Sequence, residues 1–188
     1  MAPGALAVAP WAAARPCTGA QSAHCVYREG LAVAWRGLHA DGAPVGFAFG
    51  HGLSYINFSY AWVRPPAAAP DGGVALTVRV TNVGGVPGAE VAQLYVRYPP
   101  HAHEPPLVLR GFEKTAVLAP GGAQDLRFTL APRALSVWAA SGADGDAAGA
   151  DAAGSAAGRW ARIAGTFTMV VGGGSRDPRL EGTVEVRA

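Results

Sequence analysis

The sequence contains little charge, and almost none of its positive charge comes from lysine. Charged residues make up 15% of the 188 positions, Lys114 is the single lysine, and the formal net charge is +2. So small an excess of positive charge is too weak to attract a nucleic-acid phosphate backbone or an anionic bilayer. We therefore expect no nucleic-acid partner and no membrane partner.

Cysteine is scarce, and long hydrophobic runs are missing. Two cysteines, Cys17 and Cys25, are too few for a disulfide framework. Unpaired thiols are favoured, but whether the two cysteines pair stays open. They therefore do not determine the redox compartment of the protein. No apolar run reaches the roughly 18 residues of a transmembrane helix. Residues 1–14 are apolar, but no basic residue precedes the apolar stretch, and Pro3 and Pro10 interrupt it. This is a poor signal peptide, and a gene prediction that begins inside a longer protein explains it as well.

The sequence motifs of several enzyme and metal-binding classes are also missing. The sequence contains no nucleophile elbow, P-loop or dinucleotide fingerprint, and the GGGS run at 172–175 predicts a hairpin turn. His101 and His103 lie in a proline-rich loop without a visible third ligand, and the aspartates between 139 and 158 lack EF-hand spacing. We therefore predict no metal site and no cofactor.

Short extended segments separated by turns are abundant instead. The chain has 26 glycines and 15 prolines, and residues 74–82 place Val74, Leu76, Val78 and Val80 on one face of a strand. Further extended segments are predicted at 56–63, 89–98, 107–118, 124–130, 159–171 and 179–187. About seven strands with frequent turn signals predict an all-β fold, an immunoglobulin-like or fibronectin type III-like antiparallel sandwich.

Three other segments complete the predicted organisation. Leu31, Val33 and Trp35 alternate with small residues, which predicts a short strand within 27–37. The sequence RPPAAAPDGG at 64–73 predicts a break rich in turns. Residues 139–158 contain only Ala, Gly, Ser and Asp and offer no large side chain to bury, which predicts a flexible surface insert.

Several motifs in a fixed order resemble the C-terminal part of glycoside hydrolase family 3, of the β-glucosidase type. The longest are YREGLAVAWR at 27–36, FGHGLSY at 49–55 and VRVTNVGGVPGAEVAQLY at 78–95. Shorter matches follow: LRGFEK at 109–114, LAPG at 118–121, LSVW at 135–138 and TMVVGGGSRDPRL at 168–180. Ala48 departs from the usual proline, and Ala34-Trp35 from the usual Gly-Tyr, both of which are local changes.

This resemblance implies a domain organisation. Residues 1–23 would be either an unstructured N-terminal stretch or an error of gene prediction, and 24–48 a remnant of the family's α/β sandwich domain. Residues 49–188 would be the fibronectin type III-like domain, with the insert at 139–158. The resemblance also implies, without other support, an extracellular or secretory location; the sequence itself leaves the compartment unknown.

The catalytic residues of the resembled family lie upstream of the matched region. A retaining glycosidase needs two carboxylates roughly 5 Å apart. The family's nucleophile is an aspartate in an N-terminal (β/α)8 barrel, which needs roughly 200 residues and cannot fit in this chain. Glu29 and Glu90 match positions that we do not identify as catalytic, and the sequence places no second carboxylate beside either one. We expect no catalytic residue here and no activity from this chain alone, although the parent protein would be a glycosidase.

Two residues are candidates for substrate contact in the whole enzyme, His51 and Trp160. His51 lies between two glycines in FGHGLS, where packing at a domain junction is the alternative. Trp160 follows the insert and is the best candidate for an exposed aromatic, whereas Trp138 is expected to pack beneath the neighbouring loop.

Three hypotheses for the function remain open. In the first, the chain is a non-catalytic module of a β-glucosidase or β-xylosidase type enzyme, whose partners are the catalytic domains that it stabilises. In the second, it is a free-standing carbohydrate-binding or adhesion module with a polysaccharide as its partner. In the third, it is a fragment without a function of its own, in which an unpaired strand at 30–36 promotes aggregation.

Overall fold

The computed structural model describes residues 30–139 and 158–187 of the chain. Within these ranges it contains one short α-helix and nine strands. The helix is α1 (Trp35–Ala40), and the strands are β1 (Phe58–Ala68), β2 (Val74–Asn82), β3 (Val91–Arg97), β4 (Val108–Lys114), β5 (Ala123–Leu130), β6 (Ser136–Ala139), β7 (Arg159–Arg162), β8 (Gly165–Gly174) and β9 (Asp177–Val186). Single 3₁₀ turns at Pro100–Ala102 and Pro132–Leu135 connect neighbouring strands.

Seven of the described strands form two antiparallel sheets that pack face to face. One sheet has the order β1-β2-β5 and the other β4-β3-β8-β9, while β6 and β7 form a separate two-stranded ribbon. This arrangement is an immunoglobulin-like β-sandwich, which confirms the all-β prediction. We found no helix in the described part of the chain that is long and apolar enough to cross a membrane.

The hydrophobic core lies between the two sheets and follows the alternation of the strands. In β2, Val74, Leu76, Val78 and Val80 are buried, and Leu126, Phe128 and Leu130 of β5 extend the same layer. The facing sheet contributes alternate residues of β3 and β8, namely Ala92, Leu94, Val96, Phe167, Met169 and Val171. On both inner faces every second residue along a strand is apolar. This alternation explains why these segments form strands and pair in this register.

A buried asparagine fixes the turn that follows β2. The Asn82 Nδ2 group donates to the backbone oxygens of Val86 (2.8 Å) and Leu118 (2.9 Å), and its Oδ1 accepts from the Gly84 N–H (2.8 Å). Its polar atoms are thereby satisfied although the residue is fully buried. This role accounts for an asparagine at the end of a strand whose other buried residues are apolar.

Strand β3 is buried on both faces, unlike an ordinary half-exposed strand. Tyr95 is buried on the outer face, in a second small cluster with Leu107 and Val170, against which Trp35 and Leu109 pack. The outer face of the four-stranded sheet is thus partly covered by residues from outside the sandwich. The alternation at 89–98 correctly predicts the strand but not this cover.

Some predicted boundaries differ from the structure. The expected break at 64–73 is wrong in its first half, because β1 continues through Pro65 and Pro66 to Ala68, with register shifts between Trp62 and Ala67. Proline is tolerated there because β1 is an edge strand. The glycines of GGGS belong to β8, and the predicted hairpin turn lies at Ser175 and Arg176. The extended segment 159–171 is divided into β7 and β8.

The strand predicted within 27–37 is wrong for the described residues. Residues 30 and 31 form a turn, and α1 begins at Trp35, after Ala34 with φ 54°. The Trp35 ring stacks on Phe49, with centroids 4.5 Å apart, and meets Tyr95 edge-on at 6.1 Å. Since no strand within the described ranges pairs with this segment, the contacts of Trp35 with the sheet decide its path. The aggregation expected from an unpaired strand at 30–36 therefore loses its basis.

Several predictions concern residues outside the described ranges. These are the N-terminal stretch 1–23, the thiols of Cys17 and Cys25, Glu29, and residues 140–157 of the insert.

Candidate functional site

A buried glutamine ties the glycine-rich loop at 46–55 to the four-stranded sheet. The Gln93 Nε2 group donates to the backbone oxygens of Gly50 (2.9 Å) and Gly173 (2.9 Å). Its Oε1 accepts a hydrogen bond of 2.6 Å from the Tyr95 hydroxyl. Burial raises the pKa of Tyr95 to about 12, so this hydroxyl stays protonated and acts as the donor. We call these contacts the Gln93 network.

Gly50 is required at the position where the loop meets Gln93. Its φ is +78°, and a Cβ built there would lie 2.0 Å from Gln93 Oε1. Only glycine combines this left-handed conformation with so close an approach. Gly50 of FGHG thus lets the backbone come within hydrogen-bonding distance of the sheet.

Two further contacts hold the preceding residues in place. The Ser175 N–H donates to the backbone oxygen of Phe49 (2.9 Å). The Arg176 guanidinium donates to the backbone oxygens of Leu38 (3.0 Å), within α1, and of Ala43 (2.6 Å), just after it. Together with the stacking of Trp35, these contacts hold residues between 35 and 50 on the sandwich. We call residues 31–55 the junction segment.

The junction segment exposes large apolar side chains to solvent. Tyr55 is fully exposed, Leu53 is 92% exposed and Phe47 is 76% exposed, while Leu31 and Val33 are about half exposed. One side of this segment is hydrogen-bonded to the sandwich, and its other side exposes apolar side chains to solvent. Exposed apolar patches of this kind are typical of protein interaction sites.

A groove of about 710 Å³ lies beside the junction segment. Its walls come from the loop at 50–58, from the start of β3 and from the β8–β9 hairpin. Two carboxylates converge in it: a Cβ on Gly173 would lie 2.9 Å from Asp177 Oδ2 and 3.7 Å from Glu90 Oε1. The sequence pattern missed this pairing, because β8 and β9 bring Asp177 beside Glu90 over a long separation in the chain.

The environment of the two carboxylates differs. Glu90 Oε1 accepts a hydrogen bond of 3.0 Å from the Val91 N–H, and burial is the main cause that raises the Glu90 pKa. Asp177 forms an ion pair of 2.7 Å with Arg179 and is about half exposed. The Tyr60 hydroxyl faces Glu90 but makes no hydrogen bond of normal geometry, and burial raises the Tyr60 pKa well above its usual range.

Each carboxylate of this cluster has a structural partner. Glu90 accepts a hydrogen bond from the backbone of its own strand, and Asp177 is paired with Arg179. In the described residues we found no cluster of three His, Cys, Asp or Glu side chains that could hold a metal ion.

The two candidates for substrate contact lie in different places. His51 lines the groove and stands next to Phe47, with ring centroids 5.2 Å apart. Trp160 lies on the β6–β7 ribbon and takes no part in the groove. The structure therefore does not bring them together, and a substrate contact of either one stays a prediction.

Trp138 is exposed, which contradicts its expected packing beneath a loop. It is 56% exposed and lies directly across the ribbon from Trp160, which is 46% exposed. Among the described residues no second layer covers this face of the two-stranded ribbon, so the ring remains on the surface.

Comparison with known proteins agrees with this fold. Residues 90–175 match the family described as fibronectin type III-like domain. The β-glucosidase cel3A of Pyricularia oryzae is 37% identical over 180 residues, which are 85% of this chain and 23% of that protein. The probable β-glucosidase L of Aspergillus fumigatus is 37% identical over 179 residues, which are 86% of this chain and 22% of that protein.

Solved structures give the same result. The β-glucosidase 3B of Thermotoga neapolitana in complex with glucose superposes with a TM-score of 0.69 at 29% identity, over 87% of this chain and 20% of that one. The GH3 β-glucosidase of Bifidobacterium adolescentis gives a TM-score of 0.69 at 30% identity, over 84% and 21%. The chain spans less than a quarter of the length of the curated relatives named above. The two-sheet sandwich, the match at residues 90–175 and these relatives are together consistent with a C-terminal fibronectin type III-like domain of a glycoside hydrolase family 3 β-glucosidase.

Proposed function

We propose that the chain is a non-catalytic module of a family 3 glycosidase of the β-glucosidase or β-xylosidase type, and that it stabilises the catalytic domains by docking through the junction segment. The observation that supports this proposal most directly is the junction segment itself. Its backbone is fixed by Gln93 and Arg176, whereas Phe47, Leu53 and Tyr55 face solvent.

The energetics favour a covered surface. A flexible loop could turn its apolar side chains inward, but a loop whose backbone is tied to the sheet by several hydrogen bonds is less free to do so. Burying a leucine-sized side chain stabilises an interface by about 1.5–3 kcal/mol. Several such side chains on one rigid segment provide the apolar centre that a stable interdomain contact needs.

The charges around the groove fit the same role. Glu90 is half-buried and the Asp177–Arg179 pair is at the margin, so this side of the junction segment is polar while the exposed side chains are apolar. An apolar patch with a polar rim is the usual composition of a specific protein interface. Contacts of Trp35 and Arg176 cross the predicted boundary at residues 48 and 49, which supports a junction segment that folds together with the sandwich.

A chimeric glycosidase tests the proposal. This chain would replace the matching C-terminal portion of a fungal β-glucosidase relative, and the melting temperature and the β-glucosidase activity would be measured. We expect an active enzyme in which Leu53→Ser or Val33→Ser lowers the free energy of unfolding by about 1–3 kcal/mol. In the isolated chain the same substitutions should change it by less than about 0.5 kcal/mol, because both side chains are exposed there.

Val63→Ser is the matched control for Val33→Ser. Val63 is 41% exposed and Val33 is 49% exposed, but Val63 lies on β1 of the opposite sheet. The proposal requires that Val63→Ser leave the chimera unchanged. If all three variants affect the chimera and the isolated chain equally, the junction segment is not an interface and the proposal is wrong.

A further inference from the structure

The β6–β7 ribbon presents two indole rings that the junction segment does not involve. Trp138 and Trp160 are direct cross-strand partners, and both remain about half exposed. Their ring centroids are 5.5 Å apart and their planes meet at 70°. The two rings therefore form a corner with one ring as its floor and the other as its wall.

Each ring is held in position by a specific contact. A Cβ on Gly158 would lie 2.5–2.6 Å from three atoms of the Trp138 indole, so the Gly158 backbone packs directly against that ring. The Arg133 guanidinium lies over Trp160, with its central carbon 4.6 Å from the ring centroid. Fixing the rings in advance lowers the entropy that is lost when a ligand binds.

The shape and chemistry of the corner select a class of ligand. A pyranose whose hydroxyls are all equatorial has apolar faces made of axial C–H bonds, and such a face packs against an indole ring. The second ring then contacts the edge of the sugar, and the N–H groups of Arg133 can donate to its hydroxyls. β-Linked glucose units meet these requirements along a whole chain, and they are also the sugars to which the names of the relatives refer.

We propose that Trp138, Trp160 and Arg133 form a surface site that binds β-linked gluco-oligosaccharides, separate from the junction segment. The site adds a binding function to the module, and it does not depend on whether the junction segment docks to catalytic domains. It holds the sugar chain by stacking, and no bond of the sugar is broken there.

The test is a titration of the isolated chain with cellotetraose, followed by NMR of the tryptophan indole N–H signals. The chain has five tryptophans, and we expect the signals of Trp138 and Trp160 to shift while those of Trp35 and Trp62 stay in place. The expected dissociation constant is on the order of 1 mM, as for a small solvent-exposed site. Maltotetraose, with the same composition but α-linkages, should bind at least tenfold more weakly.

Variants separate the site from general stability. Trp138→Ala should weaken cellotetraose binding at least tenfold, and Trp138→Phe should retain part of it. Gly158→Ala keeps both aromatic rings but displaces Trp138, and it should also weaken binding at least threefold. Phe112→Ala removes another exposed aromatic ring, 66% exposed on β4, and should leave binding unchanged.

The outcomes that would overturn the proposal are distinct. It is wrong if neither indole signal shifts at about 20 mM cellotetraose, a concentration far above the expected dissociation constant. It is also wrong if Phe112→Ala weakens binding as much as Trp138→Ala, or if maltotetraose binds equally well. None of these results bears on the chimera, and failure of the chimera leaves this titration unaffected.

Discussion

Replacing Gln93 by leucine removes the centre of the Gln93 network while keeping a side chain of similar size. Gln93 is 8% exposed and makes three hydrogen bonds, two as donor to backbone oxygens and one as acceptor from Tyr95. The substitution leaves the Gly50 and Gly173 carbonyls and the Tyr95 hydroxyl without this partner. The Tyr95 hydroxyl is buried, whereas the two carbonyls are only part-buried at the groove, where water can partly replace the lost amide.

The size of the effect follows from these orphaned groups. A buried polar group that loses its partner costs about 1–3 kcal/mol. The Tyr95 hydroxyl loses its partner completely, the two part-buried carbonyls lose theirs in part, and the apolar gain of leucine offsets some of the cost. We therefore expect a loss of about 2–3 kcal/mol in the free energy of unfolding. Adding Tyr95→Phe to Gln93→Leu removes the hydroxyl that has lost its partner. The double variant should therefore regain about 1–2 kcal/mol in the free energy of unfolding.

Urea unfolding measures the loss, and hydrogen exchange of the His51 and Ser175 amides reports on the junction segment. Gln124→Leu is the matched control, because Gln124 also makes a side-chain hydrogen bond, from the Ala116 N–H at 2.8 Å, but at an exposed site. It should cost less than about 1 kcal/mol. If Gln93→Leu costs no more than Gln124→Leu and leaves both amides protected, Gln93 does not hold the junction segment.

Three further predictions concern the same region. Gly50→Ala should destabilise the chain by about 2–4 kcal/mol because of its positive φ and the clash with Gln93, whereas Gly85→Ala, with open space around it, should change stability by less than about 0.5 kcal/mol in thermal unfolding. Arg176→Met should leave global stability within about 1 kcal/mol but accelerate amide exchange at the end of α1; unchanged exchange would contradict its tethering role. The raised pKa of Glu90 means that the folded state binds its proton more tightly, so this residue makes stability fall as pH rises from the unfolded pKa through the folded pKa. Glu90→Gln should flatten that part of a pH series of urea unfolding curves, and a variant with an unchanged pH profile would exclude this assignment.

The strands that the sequence predicts well are those in which the alternation of apolar and polar residues alone determines which side chains are buried. In β2 and β5 one face meets the core and the other meets solvent, so alternation along the chain contains the whole signal. Pro65 and Pro66 suggested a break, but an edge strand needs only one of its sides to pair, and β1 passes through them.

The candidate site was less accessible from the sequence because its contacts are distant in the chain. Gln93 meets residues 43 and 80 positions away, and the path of the segment around Trp35 depends on the contacts of its ring with Phe49 and Tyr95. Signals were nevertheless present: a glutamine at the centre of a buried strand requires polar partners, and FGHG offers backbone that can approach closely. Trp138 and Trp160 could not be paired from the sequence, because the insert between them hides their register.

The proline pair in β1 has a consequence for how another protein domain can contact this one. Two successive residues at that border lack an N–H group, so an incoming strand cannot continue the hydrogen-bond ladder along β1. A neighbouring sheet, or a second molecule at high concentration, therefore cannot merge with the three-stranded sheet at this border. At the proline pair of β1, contact with another domain therefore uses side chains, so single substitutions there can adjust it without disturbing the sheet.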